Sequence, residues 1–105
     1  MVSVTNINSV APKSQDALLA AIALGPVAVT VQADQDVFQR YESGILNSED
    51  CGTNINHAIT AVGYGVEDGV TYYIVRNSWG TSWGDNGYIK IAASGEDSDG
   101  ICGIQ

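Results

Sequence analysis

Two β-rich runs separated by a tight turn constrain the fold of this chain more than any other feature of its sequence. The runs are Asn56–Tyr64 and Thr71–Asn77, and the turn over Val66–Val70 is built around Asp68-Gly69. An Asp-Gly pair between apolar runs is a strong hairpin signal, because these residues tolerate the positive φ angles that a two-residue turn needs. We therefore predict an antiparallel hairpin in the second half of the chain.

The remaining sequence predicts helices near the start and further strands towards the end. Ser14 is a candidate N-cap, Asp16 lies in the first turn, where the helix dipole favours an acid, and Gly25-Pro26 ends the helix. The other predicted elements are a strand or arm over residues 2–10, a strand over Val27–Val31, a short helix over Asp34–Tyr41, a loop over Ser43–Thr53, a strand over Tyr88–Ala92 and a last short strand over Ile101–Ile104. With 105 residues, they predict a single α+β domain, residues 1–105, in which one main helix and a short second helix accompany an antiparallel, β-barrel-like sheet.

Charge and hydropathy exclude several classes of function. Twelve acidic against four basic residues give a net charge of −8, which repels a phosphate backbone, so we expect no nucleic-acid partner. The longest apolar run, Ala17–Val31, is broken by Gly25-Pro26, and Met1 is followed by a polar stretch, so we expect no membrane span and no signal peptide. One histidine and two distant cysteines do not make a zinc site, and Glu96–Gly100 lacks the ligand spacing of a calcium loop. We expect no metal and no cofactor.

The predicted hairpin brings together His57, the single histidine, and Asn77. A hairpin centred at residue 67 sets them opposite each other, whereas a centre at residue 68 makes them a diagonal pair on the same face. An asparagine oxygen can accept an imidazole N–H, which fixes the tautomer and aims the other ring nitrogen. This is the orienting role in a nucleophile–base–orienter triad, and an uncharged orienter suits a cysteine thiolate. The alternative is a histidine with a structural or surface role.

The sequence allows two roles for Trp79 and two states for the pair of cysteines. Trp79 follows Asn77 by two residues and is a candidate cover for the Asn–His hydrogen bond, although Trp79 and Trp83 are also typical core anchors. A bridge between Cys51 and Cys102 would close a loop of about 50 residues and contribute roughly 4 kcal/mol in the chain-entropy model. Two free buried thiols are the alternative.

Several short motifs in combination resemble the papain-like cysteine proteases, over nearly the whole chain. The motifs are Cys51-Gly52, Asn56-His57-Ala58, Val62-Gly63-Tyr64-Gly65, Asn77-Ser78-Trp79-Gly80, Trp83-Gly84, Gly87-Tyr88 and Ile101-Cys102-Gly103. The resemblance implies the C-terminal domain of the papain-like fold and peptide-bond hydrolysis by Cys-His-Asn catalysis.

The resemblance also implies a role for particular residues. His57 is expected to be the general base and acid, Asn77 its orienter and Trp79 the shield over the pair. Ala58 and Thr30 are expected to line a substrate pocket. Cys51 and Cys102 match positions that are disulfide-bonded in relatives, which favours the disulfide and an oxidising compartment. For the full-length protein, the resemblance implies a lysosome, vacuole or extracellular location and a peptide or protein substrate.

The sequence departs from the family at the nucleophile. The family's Cys-Gly-Ser-Cys-Trp segment, about 130 to 150 residues before the histidine and asparagine, has no counterpart here, and the oxyanion-hole glutamine is missing as well. We therefore expect the His- and Asn-bearing half of a protease, inactive alone, with the N-terminal domain as its partner. Exposure of the face that meets that domain predicts possible self-association. The alternative is a non-catalytic, protease-derived binding or folding module.

Overall fold

The computed structural model describes residues 13–95 and 98–105, and its elements follow the predicted order with few exceptions. The helices are α1 (Gln15–Leu24) and α2 (Asp36–Gln39), with 3₁₀ helices over Glu49–Cys51 and Ile101–Gly103. The strands are β1 (Val27–Val31), β2 (Ile45–Leu46), β3 (His57–Glu67), β4 (Val70–Arg76) and β5 (Tyr88–Ala92). The predicted arm over residues 2–10 lies outside the described residues.

One five-stranded sheet, in the order β1-β3-β4-β5-β2, forms the centre of the fold. Neighbouring strands pair antiparallel except for β2, which runs parallel to β5. The α+β class, with one main helix and a short second helix, is therefore confirmed. Over the described residues the sheet stays open, because β1 and β2 form its two edges, so the predicted curl does not close into a barrel.

The hairpin that joins β3 and β4 is confirmed. Asp68 and Gly69 both have positive φ, 52° and 80°, as a tight two-residue turn requires. Glu67 pairs with Val70 across the turn. The hairpin supplies the two central strands of the sheet.

Helix α1 begins and ends where the sequence predicts. The Ser14 side chain accepts a hydrogen bond from Ala17 N–H at 3.1 Å, which satisfies a donor that the first turn leaves unpaired. Gly25 closes the helix with an N–H bond to the Ile22 carbonyl at 3.0 Å. Leu18 and Ile22 are the buried residues of this helix and join the core.

The core lies on one face of the sheet. Ala61, Val75 and Ile89 form one cross-strand row and have no exposed area. Burial of a side chain of this kind contributes about 1.5–3 kcal/mol for the larger members of the row. Because side chains alternate along a strand, the opposite face carries its own set of residues, and in β1 these include exposed Ala28 and Thr30.

The disulfide between Cys51 and Cys102 is confirmed. It joins the two 3₁₀ helices, the two Cα atoms are 4.8 Å apart, and both side chains are buried. Free thiols at these positions are therefore excluded.

Three segments differ from their predicted structure. The predicted strand over Ile101–Ile104 is wrong, because Gly103 N–H and Ile104 N–H bond back to the Gly100 and Ile101 carbonyls as in a 3₁₀ helix. The turn is kinked at Cys102, whose φ of 60° is neither extended nor right-handed helical. The predicted loop over Ser43–Thr53 contains β2, which forms through long-range pairing with β5, and the first 3₁₀ helix. Helix α2 is shorter than predicted because Gln35 is extended, with φ −90° and ψ 151°. No helix in the described part of the chain is long and apolar enough to cross a bilayer.

Candidate active site

A β-bulge at Val62 places His57 and Asn77 on the same face of the hairpin. The register is Gly63 opposite Ile74 on one side of the bulge and Ala61 opposite Val75 on the other. If the second register continues one residue past Arg76, Asn77 lies opposite Ile59. Ile59 is two residues from His57, so His57 and Asn77 form a diagonal pair on one face. Without the extra residue, Asn77 would fall opposite Thr60 and on the other face, because side chains alternate along a strand.

The His57 and Asn77 side chains are in hydrogen-bond contact. His57 Nε2 lies 2.9 Å from Asn77 Oδ1, and the same oxygen accepts the Ser78 backbone N–H at 2.6 Å. The Ser78 bond fixes the orientation of the carboxamide, because the flipped amide would set two donors against each other. His57 Nε2 must then carry the proton that it donates to Asn77. In the neutral ring, Nδ1 is left as a proton acceptor.

Asn77 is buried and bonded through its backbone, but one of its side-chain atoms lacks a hydrogen-bond partner among the described residues. Its side chain is only 6% exposed, and its backbone N–H donates to the Gly87 carbonyl at 2.9 Å. Its buried Nδ2 has no hydrogen-bond partner within the described part of the chain. An unmade hydrogen bond of this kind costs about 1–3 kcal/mol. A catalytic role is one of the explanations that such buried unpaired groups have in proteins.

Trp79 stacks on the imidazole of His57. The ring centroids are 5.1 Å apart at an interplanar angle of 29°. Phe38 and Trp83 contact the other sides of Trp79 edge-on, at 5.6 and 5.4 Å. Trp79 remains 39% exposed, so it contacts both the histidine and solvent.

Sequence reasoning missed two groups beside the site. Phe38, fully buried, contacts Trp79 edge-on, although the sequence placed it only within the predicted short helix Asp34–Tyr41. Gln32, 7% exposed, was not singled out at all, although its side chain contacts the segment that precedes His57. Neither role has a local sequence signal, because both depend on contacts between residues distant in the chain.

Thr30 and Ala58 lie next to the His57–Asn77 pair. They are directly opposite each other across β1 and β3, in the register that also pairs Val31 with His57. Both side chains are small and exposed, and because side chains alternate along a strand they lie on the face of the sheet opposite to that of His57. The structure thus brings the predicted pocket residues together.

Two ionisable groups near the site have shifted pKa values. A hydrogen bond from the Gln32 amide lowers the pKa of Asp34 below its usual value, and Gln35 adds a further donor. Burial raises the pKa of Tyr41, which packs near Trp83. Among the described residues no three His, Cys, Asp or Glu side chains cluster as metal ligands.

The chain has no thiol that could act with His57. Its two cysteines, Cys51 and Cys102, are both consumed by the disulfide. The arrangement therefore supplies an oriented imidazole and its amide partner.

The structure is closely similar to solved cysteine proteases. The bromelain protease from Ananas comosus, solved with the E64 inhibitor, matches with a TM-score of 0.83 and 45% identity, over 90% of this chain and 44% of that one.

Curated relatives at similar identity are plant cysteine proteases. Cysteine proteinase COT44 of Brassica napus is 46% identical over 104 residues, 99% of this chain and 31% of that protein. The KDEL-tailed cysteine endopeptidase CEP2 of Arabidopsis thaliana is 44% identical over 99% of this chain and 28% of that protein. The chain thus spans about a third of the length of the curated relatives it matches.

A protein family described as papain family cysteine protease matches residues 1–105, the whole chain. The motif resemblance noted in the sequence is therefore confirmed at the level of the family. This chain belongs to the papain family of cysteine proteases.

Proposed function

We propose that residues 1–105 form the His- and Asn-bearing domain of a cysteine endopeptidase. The observation that carries the proposal is the 2.9 Å contact between His57 Nε2 and Asn77 Oδ1, with that oxygen fixed by Ser78 N–H. A hydrogen bond on Nε2 leaves Nδ1 to exchange a proton with a thiol. A cysteine peptidase needs this geometry on the half that faces its nucleophile.

In the proposed reaction, His57 first acts as base and then as acid. Nδ1 takes the proton of a cysteine thiol from another domain, and the resulting thiolate attacks the carbonyl carbon of the scissile peptide bond. The imidazolium then protonates the leaving amine as the C–N bond breaks, which leaves an acyl-thioenzyme. Water, deprotonated by the same nitrogen, hydrolyses the thioester and restores the thiol. Asn77 holds the ring throughout.

Trp79, Ala58 and Thr30 have supporting roles in this proposal. Trp79, stacked at 5.1 Å, shields the His57–Asn77 pair from water on one side, which strengthens the hydrogen bond. Ala58, which follows His57 in the chain, and Thr30, opposite it across the two strands, line a pocket for a substrate side chain on the exposed face of the sheet. Their small side chains leave room for a bulky apolar residue.

The proposed partners are a thiol-bearing N-terminal domain and a peptide or protein substrate. Both cysteines of this chain are bonded to each other, so alone it is inactive. Apolar side chains at the surface, among them Leu24 at 93% and Val66 at 66% exposed, favour self-association when the N-terminal domain is missing. A peptide substrate agrees with a neighbour solved with the E64 inhibitor.

We further propose a vacuolar, lysosomal or extracellular location for the full-length protein. The buried disulfide needs an oxidising compartment to form. A relative at 44% identity is described as KDEL-tailed, and such a tail is a signal of the secretory route.

The experiment joins this chain to a thiol-bearing half. The N-terminal domain of the Brassica napus relative, which is 46% identical over the shared part, is fused ahead of residues 1–105, and hydrolysis of a fluorogenic peptide is followed. We expect turnover by the fusion and none by this chain alone. His57→Ala in the fusion should lower kcat/KM by about 10²–10⁴-fold, since it removes the acid–base group.

Asn47→Ala is the matched control, because Asn47 is an exposed asparagine just after β2, an edge strand that pairs with β5 and not with the hairpin. It should leave turnover unchanged, whereas Asn77→Ala should lower it. Equal turnover by the fusion and its His57→Ala variant would contradict the proposal. A folded fusion that binds peptide without cleaving it would support the non-catalytic module instead.

A further inference from the structure

The buried side chain of Gln32 joins the end of β1 to the segment that leads into His57. Gln32 follows the last residue of β1, and its Oε1 accepts the Asn54 backbone N–H at 2.7 Å. Its Nε2 donates to the Asp34 carboxylate, also at 2.7 Å. One side chain therefore connects a loop backbone to a charged group, and both bonds are short.

The segment before His57 has two further bonds to the same region. Asn56 N–H donates to the Val31 carbonyl at 3.0 Å, and Asn56 Oδ1 accepts the Ala33 N–H at 3.0 Å. The Gln32 bond to Asn54 is the one of the three that lies furthest from β3. The three-residue segment 54–56, which leads into His57, is therefore bonded to the end of β1 through both its first and its last residue.

The Gln32 side chain packs tightly against the backbone of Gly52, and its own backbone is bonded to Cys102. Gly52 has φ +78°, and a Cβ there would come within 2.2 Å of Gln32 Oε1, so the amide packs against bare backbone. The Gln32 N–H donates to the Cys102 carbonyl at 2.8 Å, next to the disulfide. The lowered pKa of Asp34, caused first by the Gln32 hydrogen bond, agrees with a charge-assisted contact.

We propose that Gln32 is a positioning residue for the His57 imidazole, acting through the segment 54–56, an inference that rests on the proposed role of His57. The contact between Nε2 and Asn77 Oδ1 is 2.9 Å, and a shift of the His57 backbone by a few tenths of an ångström takes it to the limit of a good hydrogen bond. A weakened bond lowers the preference of the neutral ring for the Nε2–H tautomer.

The test reads the tautomer directly, because His57 is the single histidine and its ring signals need no assignment by mutation. The ratio of Nε2–H to Nδ1–H forms is measured from imidazole ¹⁵N shifts at a pH where the ring is neutral. Gln32→Met keeps the side-chain length and removes both hydrogen bonds, and we expect the ratio to fall about threefold or more.

The matched control is Gln35→Met. The Gln35 amide donates to the same Asp34 oxygen at 3.3 Å but is exposed and, among the described residues, makes no hydrogen bond to segment 54–56. We expect this variant to keep the wild-type ratio. An equal fall in both variants would assign the effect to the Asp34 carboxylate and overturn the proposal.

A charge exchange provides the rescue. Gln32→Glu keeps an acceptor for Asn54 N–H but sets a carboxylate against Asp34, so the ratio should fall. Adding Asp34→Asn restores the hydrogen bond, with the amide at position 34 now donating to the carboxylate at position 32. The net charge equals that of the parent, and the tautomer ratio should return towards the wild-type value. If Gln32→Met does not fold, the comparison of Gln32→Glu with the double variant still tests the positioning role of Gln32. Equal tautomer ratios in the single and double variants would overturn the proposal.

The outcome is independent of the hydrolysis experiment. The tautomer is measured on this chain without substrate, so an inactive fusion leaves the readout intact. An active fusion whose Gln32→Met tautomer ratio is unchanged would refute the positioning role alone.

Discussion

The disulfide corner and the hairpin site are held in opposite ways. The corner, defined here as Cys51, Cys102 and Gln32, has a covalent bond, two hydrogen bonds from the Gln32 side chain and one from its backbone. The site pair, His57 and Asn77, shares one hydrogen bond, and Asn77 has two more, to Ser78 N–H and to the Gly87 carbonyl. No covalent bond joins the two side chains, and the buried Asn77 Nδ2 has no partner among the described residues. The site therefore depends on rigid structure next to it more than on its own contacts.

Removing the disulfide should have the largest effect on stability. Cys51→Ser combined with Cys102→Ser opens a loop with a sequence separation of 51 and should lower the free energy of unfolding by about 4 kcal/mol. Urea unfolding of the variant and of the parent measures the difference. Reductant should destabilise the parent by a similar amount and leave the double variant unchanged. A loss below about 1 kcal/mol would show that hydrogen bonds alone maintain the corner.

Gly52→Ala should disturb the corner while leaving the disulfide in place. The added Cβ meets Gln32 Oε1 and the positive φ of 78° strains any side chain, so we expect a loss of about 2–3 kcal/mol. Gly44→Ala is the control, since Gly44 also has positive φ, 82°, but open space around its Cα. That control should cost about 1 kcal/mol. Thermal unfolding compares the two, and equal losses would mean that the Gln32 contact adds nothing.

The comparison also explains what the sequence could and could not predict. The Asp68-Gly69 turn predicted the hairpin, and with it the proximity of His57 and Asn77. It left two registers open, because the bulge at Val62 has no sequence signal of its own. The Gln32 contacts could not be predicted, since they join residues 32, 54 and 102 only after the chain has folded.

The C-terminal segment illustrates the same limit. The sequence of Ile101–Ile104 predicts a strand, yet positive φ at Cys102 and Gly103 takes the backbone out of the extended conformation. Cys102 is bonded to Cys51 there, and Ile101 and Ile104 are buried in the core. Local propensity fails where a long-range bond determines the backbone.

Tyr41→Phe, outside both the disulfide corner and the His57–Asn77 pair, should have the smallest effect on the free energy of unfolding. The Tyr41 hydroxyl donates to the Gly44 carbonyl and accepts Lys90 N–H, so its loss should cost about 1 kcal/mol at neutral pH. Burial raises the pKa of Tyr41 in the folded state, so its stabilising effect is present below the unfolded value of about 10 and is lost as pH rises through the higher folded value. Unfolding followed from neutral to alkaline pH should therefore show a smaller alkaline loss for the variant than for the parent. An identical alkaline loss would contradict the burial of this hydroxyl.

The most direct measurement is the exchange of the His57 Nε2 proton with water, followed by NMR in the parent chain, in Asn77→Ala and in the control Asn47→Ala. We expect a slowly exchanging proton on Nε2 in the parent and the control, and fast exchange in Asn77→Ala, because the carboxamide oxygen at 2.9 Å holds that proton in place. A parent ring that carries its proton on Nδ1, or an exchange rate that does not change in Asn77→Ala, would contradict this expectation.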